Sequence, residues 1–346
     1  MFRPQLYCAI AVALVLSPAV TAQDQPETDP PAPTGGRASC VPDALRSTLD
    51  ALGASSGVPD GFGYSWYPSV SVRGQRARIA LSNFQFGATV PFYTTDDDLV
   101  FGNGSVRALD FRSNARLPTD RVRFPLALWD AQAGGGYVGQ LGSGWSWGTT
   151  LNFGTASDRP FNSLAEATIS ALAFLRAPAR DQNAWLFYVV STSNGQLGRN
   201  IPVPGVAYEY HTDRLTTIIG FPFVSIDYHP YRQIQLELIY AALTDLQARA
   251  SYHVTDEARV FTAFEWANQS WFRAERADRR DQLFLYEKRL EGGVGYRIYQ
   301  QVDFQLIAGY AFDRFFVENR GLSFRGRNRT DLAPGRFISG QLEFKY

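Results

Sequence analysis

From Tyr64 to the last residue, segments in which apolar and polar residues alternate follow one another, and the breaks between them are by turns short and long. This pattern constrains the fold more than any composition does. A period of two puts successive side chains on opposite faces of a strand. A run of such strands joined by breaks of a few residues is an up-and-down antiparallel meander. The alternation of break lengths adds a direction, because a barrel that crosses a membrane has short turns at one rim and long loops at the other. A soluble β-sandwich has no reason to sort its connections by parity.

The last segment, Ile338 to Tyr346, alternates without interruption. Before it, Val302 to Phe312 places Phe304, Leu306, Ala308, Tyr310 and Phe312 on one face and Asp303, Gln305 and Asp313 on the other. Phe284 to Ile298, Ala258 to Asn268, Asp245 to Val254 and Gln233 to Tyr240 precede these. Further back come Phe223 to Tyr228 and Leu215 to Gly220, which could be one kinked strand through Gly220-Phe221-Pro222. Then follow Gly205 to His211, Ala184 to Ser193, Ala165 to Arg176, Trp145 to Thr155, Leu126 to Gln140, Leu99 to Phe111, Leu81 to Phe92 and Trp66 to Val72. The last of these contains Pro68, which a central strand does not tolerate. The expected fold is all-β, an antiparallel up-and-down transmembrane β-barrel of about 12 to 16 strands. It would occupy residues 61–346.

With the C-terminus on the periplasmic side, the tight breaks at 299–301, 255–257, 230–232, 212–214 and 142–144 share one rim. The longer breaks at 316–336, 269–281, 194–204 and 156–163 share the other. Outer breaks at 241–244 and 221–222 are short, and the inner break at 177–183 is not tight. Aromatics add to the pattern: Trp145, Trp147, Tyr228 and Tyr296 lie near periplasmic turns, Trp266 and Trp271 near an outer loop, as in interfacial girdles.

The start of the chain supplies a compartment. Arg3, the apolar run Leu6 to Leu16 and the small-residue pattern Val20-Thr21-Ala22 predict a secretory signal peptide over residues 1–22. That run is shorter than the roughly 20 apolar residues of a membrane helix. Residues 23–60 read as a periplasmic leader, acidic and proline-rich at first and too polar to order itself, with a short helix where Leu45, Leu49 and Leu52 recur. Cys8 leaves with the signal peptide, so Cys40 has no intramolecular disulfide partner. Aromatics make up 14% of the chain, yet the mean hydropathy is -0.19, so apolar residues are interleaved with polar ones. A net charge of +0 argues against nucleic acid as a partner.

Two resemblances bear on these segments. Ile338, Gly340, Leu342, Phe344 and Tyr346 stand where the C-terminal assembly signal of bacterial outer-membrane β-barrels carries apolar or aromatic residues, with Tyr346 in place of the usual Phe. Ile219-Gly220-Phe221-Pro222-Phe223 and Gly309-Tyr310-Ala311-Phe312-Asp313-Arg314 resemble stretches of a family of uncharacterised outer-membrane barrels of similar length. The resemblance spans roughly Trp66 to Tyr346. It implies a cell outer-membrane location, contact with outer-membrane lipid and lipopolysaccharide, and insertion by the barrel assembly machinery. It implies no activity.

The lumen side of the last third would carry Glu237, Gln247, Arg249, Glu265, Glu287, Arg289, Glu291, Arg297, Asp303 and Gln305. Such residues either line a selective aqueous pore or fill a narrow lumen with ion pairs, and a barrel of this size favours an aqueous or partly obstructed lumen. Outer-loop arginines Arg273, Arg276, Arg325, Arg327 and Arg329 are candidate contacts for lipopolysaccharide phosphates. Asp96-Asp97-Asp98 reads as a polar hairpin turn rather than a metal site. His211, His229 and His253 fall at periplasmic strand ends, away from external substrates, and no nucleophile motif accompanies them. The expected function is therefore a porin-like passive channel or a structural surface protein, without catalytic residues, metal or cofactor. The alternatives are a barrel enzyme acting on lipid or lipopolysaccharide and a soluble secreted all-β binding protein. Oligomeric state is left open.

Overall fold

The computed structural model describes residues 58–180, 183–195, 199–241, 245–321 and 323–344. The expected signal peptide, residues 23–57 of the expected leader with its helix and Cys40, and Tyr346 lie outside these residues. The strands begin with β1 (Gly61–Val72), β2 (Ala77–Thr94), β3 (Asp98–Ser113), β4 (Ala127–Gln140), β5 (Ser146–Ser157) and β6 (Ala167–Pro178). They continue with β7 (Ala184–Thr192), β8 (Val203–His211), β9 (Leu215–Phe221), β10 (Phe223–Tyr231), β11 (Ile234–Ala241) and β12 (Asp245–His253). The tall final wall comprises β13 (Ala258–Trp271), β14 (Gln282–Tyr299), β15 (Val302–Asn319), β16 (Arg327–Leu332) and β17 (Gly335–Phe344).

Each strand pairs antiparallel with its successor as far as β16, and β1 pairs with both β2 and β17, so the sheet closes on itself. β16 and β17 are two pieces of one stave, since both lie between β15 and β1. They are interrupted at Ala333-Pro334, where proline cannot donate to the ladder. The closed barrel thus has 16 staves, the upper end of the expected range.

Three details of the strand reading are resolved. β9 and β10 are two strands, as first placed, and pair antiparallel, with Ile219 opposite Val224 and Thr217 opposite Ile226, so the alternative of one kinked strand falls away. β1 accommodates Pro68 through a register shift between Tyr67 and Val70, a bulge that removes the missing N–H from the ladder. β16 falls inside what reads as an outer loop, because Arg327, Arg329 and Asp331 alternate with Asn328 and Thr330 and both faces are polar.

The rims follow parity. Connections 95–97, 141–145, 179–183, 212–214, 232–233, 254–257 and 300–301 share one rim, and the longest, 114–126, 158–166, 193–202, 272–281 and 320–326, share the other. The wall is uneven: β14 and β15 have 18 residues each, whereas β9 has 7 and β11 has 8.

Around the outside runs a belt of exposed apolar side chains, including Tyr64, Phe153, Ile169, Phe187, Val260, Leu290, Val294, Leu306 and Ile338. Aromatics gather at the short-turn rim (Trp145, Trp147, Tyr210, Tyr231, Tyr252, Tyr299) and recur higher up at Trp66, Trp129 and Tyr310. Trp271 corrects the girdle expectation: it is 1% exposed and points into the interior.

One glycine lies at a close approach in the closing seam. Gly61 opens β1 at φ 138, and a Cβ there would lie 1.9 Å from the Leu342 carbonyl oxygen of β17. Gly61→Ala is expected to destabilise the folded barrel by about 1–3 kcal/mol through backbone strain at the seam. Urea unfolding of protein refolded in lipid checks this, and an unchanged midpoint would contradict the seam geometry.

Candidate functional site

By cross-strand register the ten expected lumen residues share one parity, with Gln247 and Arg297 exposed. Glu237 lies opposite Arg249, Gln247 opposite Glu265, Glu265 opposite Arg289, and Asp303 opposite Arg297. Arg289 is the centre of the group. It pairs with Glu265, stands 3.4 Å from Glu291 and 3.7 Å from Glu287, and donates to the Tyr67 hydroxyl at 3.2 Å. Tyr67 in turn donates to Glu287 at 3.1 Å, and Arg314 completes the set by pairing with Glu287 and lying 4.6 Å above the Tyr67 ring. Lower down, Asp303 takes Arg259 at 3.2 Å and Arg297 at 3.7 Å, and Gln305 donates to Glu343 at 2.8 Å.

Sequence reasoning missed Tyr67, Arg107, Arg259 and Arg314. Arg107 and Arg259 carry a usable signal, since each shares the inward parity of buried or paired neighbours on its own strand. Arg107 of β3 interacts electrostatically with Glu265 and Arg289 on β13 and β14, strands to which β3 is not paired. Phe111 of the same strand shares an apolar cluster with Phe261 of β13 and Leu285 of β14.

Apolar packing makes the same point. A round barrel of 16 or more staves leaves a water-filled lumen. Here Phe111 of β3, Phe124 of the 114–126 loop and Phe316 of β15 meet edge to face, with centroids 4.9–5.7 Å apart. Leu117, Leu128, Leu283 and Phe316 in the same cluster are 0% exposed. A second cluster, with Leu172, Leu186, Tyr188, Ile218 and Phe223, fills the side of the low wall. Inward side chains from non-adjacent staves therefore touch and obstruct part of the interior, within the expectation of an aqueous or partly obstructed lumen.

The outer end is crossed by the 272–281 loop, and its sequence explains why. Trp271 and Phe272, both apolar and at most 1% exposed, draw the chain inward. Phe272 then donates its N–H to the Ala156 carbonyl at 2.7 Å and bridges Ser157 in parallel, tying β13 to β5 across the mouth. Arg276 and Arg199 lie 5.0 and 5.1 Å from the centroid of the Phe272 ring, a cation–π arrangement. Arg273 pairs with Asp120 and, at 3.1 Å, with Glu318, while Asn328 donates to both carboxylates. The side-chain Oδ1 of Asn328 accepts the N–H groups of Thr119 and Asp120 at 3.1 Å each. Burial alone would raise the Asp120 carboxyl, but hydrogen bonds from Arg327 and Asn328 and the Arg273 guanidinium outweigh it, holding its pKa below the ordinary value. This carboxylate therefore keeps its partners above its unfolded pKa and loses them as pH falls through its lowered one.

Two of the five expected anion contacts are corrected by this arrangement. Arg273 and Arg276 are buried, the first on Asp120 and Glu318, the second on Glu166 at 3.2 Å and on the carbonyls of Arg273, Ala165 and Arg279. Arg327 pairs with Asp120 and Arg329 with Asp331, each at 2.8 Å, while Arg325 is exposed. Loop sequence cannot reveal these partners because they lie far along the chain. Ile338 of the expected assembly signal is exposed on the outer face of β17, and Gly340, Leu342 and Phe344 share its parity. Among the described residues no group of three or more His, Cys, Asp or Glu side chains is arranged to hold a metal ion.

Comparison with protein-family models gives no match, and neither does comparison with curated protein sequences. Among solved structures the chain is similar to the β domain of the Bordetella autotransporter BrkA. The likeness has a TM-score of 0.31 and 8% identity, over 84% of this chain and 100% of that one, too distant a superposition to carry any argument.

Proposed function

We propose that this chain is an integral outer-membrane β-barrel that stands closed in the membrane, a structural protein of the cell surface rather than an open porin. The apolar belt around a closed sheet supports the membrane location: an exposed apolar band on this scale is not met on a soluble monomer, and closure satisfies the backbone groups that lipid cannot. The observation that supports the closed state is the Phe111–Phe124–Phe316 contact, made between β3, β15 and the 114–126 loop, the two staves not being neighbours. Lipid of the outer membrane is the surrounding partner, and insertion by the barrel assembly machinery fits the outward apolar parity of β17.

A second reading, a channel that opens when the 272–281 loop swings out, is favoured by the charged set around Arg289. Such groups are costly to bury and suit an interior that is at times wet. Catalysis forms no part of either reading. His211, His229 and His253 end or lie near the end of β8, β10 and β12 at the short-turn rim.

Conductance of the purified protein in a planar bilayer tests the proposal. The expected record is silent or shows only rare openings. A steady open current would overturn the closed reading in favour of a porin.

A further inference from the structure

We propose that the long-loop rim above β1 to β4 carries a binding site for the phosphate groups of the outer-leaflet glycolipid, built by Arg73, Arg116 and Arg121. This rests on the outer-membrane reading and names a ligand for that surface.

The site follows from where arginine is left over. Elsewhere on the rim Arg273, Arg276 and Arg320, and on neighbouring β16 Arg327 and Arg329, are each held by a carboxylate of the protein. Arg73, Arg116 and Arg121, with Arg76, Arg112 and Arg123 around them, are all exposed, and none has a carboxylate within ion-pair distance among the described residues. The acidic groups of this sector are occupied or few: Asp120 serves Arg273 and Arg327, Asp331 serves Arg329, and Asp110 lies near Arg112.

The arrangement is built rather than accidental. Gln75, in the 73–76 turn, donates to the Arg116 carbonyl at 2.8 Å and accepts the Arg116 N–H at 3.0 Å, clamping that turn to the 114–126 loop. Within the loop, Leu117 and Val122 are joined at 2.9 Å, Arg116 bridges Arg123, and Arg121 is held in the left-handed region at φ 59. Arg116 also donates to the Arg121 carbonyl at 2.8 Å, which leaves other N–H groups of its fork available. Leu117, fully buried in the apolar cluster, anchors the loop from below. The result is a surface hollow lined by Arg73, Gly74, Gln75, Arg116, Leu117, Pro118 and Arg121.

Guanidinium groups bind phosphate through paired N–H donors. Below the hollow, the same wall carries outward-facing Trp66 of β1 and Trp129 of β4. A phosphorylated glycolipid places its headgroup and its acyl chains at those two levels together, which a free anion does not.

The test uses full-length protein folded in detergent and purified lipid A, with and without its phosphates. Wild-type protein is expected to bind the phosphorylated form at least about tenfold more tightly, given that each arginine near an anionic lipid surface is worth roughly a factor of five. Arg73→Gln/Arg116→Gln/Arg121→Gln is expected to lose that preference, and Gln75→Ala to weaken it by releasing the clamp with all charges kept. Arg279→Gln/Arg280→Gln should bind as wild type. Equal binding of the dephosphorylated lipid, an unaffected triple variant that still migrates as a folded barrel before heating, or full displacement by inorganic phosphate at equal concentration would each overturn the site. Recovery of the protein in the soluble periplasmic fraction would overturn the membrane reading instead, whatever the lipid titration gives.

Discussion

Arg273→Ala is expected to destabilise the long-loop end of the barrel by about 3–5 kcal/mol, the cost of leaving buried carboxylates without their cation. The Arg273 side chain is 3% exposed and that of Glu318 is 1% exposed, so neither charge can turn to water. Removing the guanidinium leaves Glu318 and Asp120 facing one another, with only Asn328 donating to both and Arg327 to Asp120. The 272–281 loop then keeps Phe272 on Ala156 but loses its hold on β15 and on the 114–126 loop. Tryptophan emission reports the change, since Trp271 stands two residues before Arg273 and is buried in the interior. Faster proteolysis within 114–126 or 272–281 gives a second measure. Under the closed reading the variant conducts only through transient defects. Under the gated reading it opens often. Wild-type stability and protection in the variant would mean that the Arg273 group does not hold the cap.

Leu306→Arg should cost about 2–4 kcal/mol if the belt faces the middle of a bilayer. Leu306 is 49% exposed on β15, opposite Val294 of β14 and Gly340 of β17. In water an exposed leucine contributes little, and such a surface change stays within about 0.5 kcal/mol. The membrane reverses that expectation because the charge must be carried into hydrocarbon. Tyr310→Arg, nearer the long-loop rim on the same face, should cost less, since the penalty falls to about 0–1 kcal/mol near the interface. Equilibrium unfolding from lipid bilayers measures both variants. Small effects at both positions would remove the membrane reading, and equal large effects would point to packing rather than depth.

Much of the architecture is legible in the sequence because the information is local. A strand announces its faces by a period of two, so Phe304, Leu306 and Ala308 separate from Asp303 and Gln305 without knowledge of any partner. Break lengths sort the rims, and counting back from Phe344 orients every stave. β16 escapes this reading because Arg327 to Asp331 is polar on both faces, and only its neighbours β15 and β1 make it a strand.

The candidate site was half legible. Which of Glu265, Glu287, Arg289 and Glu291 turn inward follows from parity, but that they converge on Tyr67, and that Arg107 joins them, depends on curvature of the sheet. The same limit explains the arginines. Arg273 and Arg121 look alike in their loops, yet Arg273 meets Asp120 across 153 residues and is used up, whereas Arg121 is turned outward by its own hairpin.

Alternation along the chain therefore determined by itself that the protein is a β-barrel with an apolar exterior, since strand period and turn length are properties of adjacent residues. Only the tertiary structure decided which inward side chains meet across the barrel, that the 272–281 loop crosses its long-loop end, and which arginines among the described residues pair with carboxylates. Those outcomes depend on how closely opposite walls approach, a distance that no local pattern encodes.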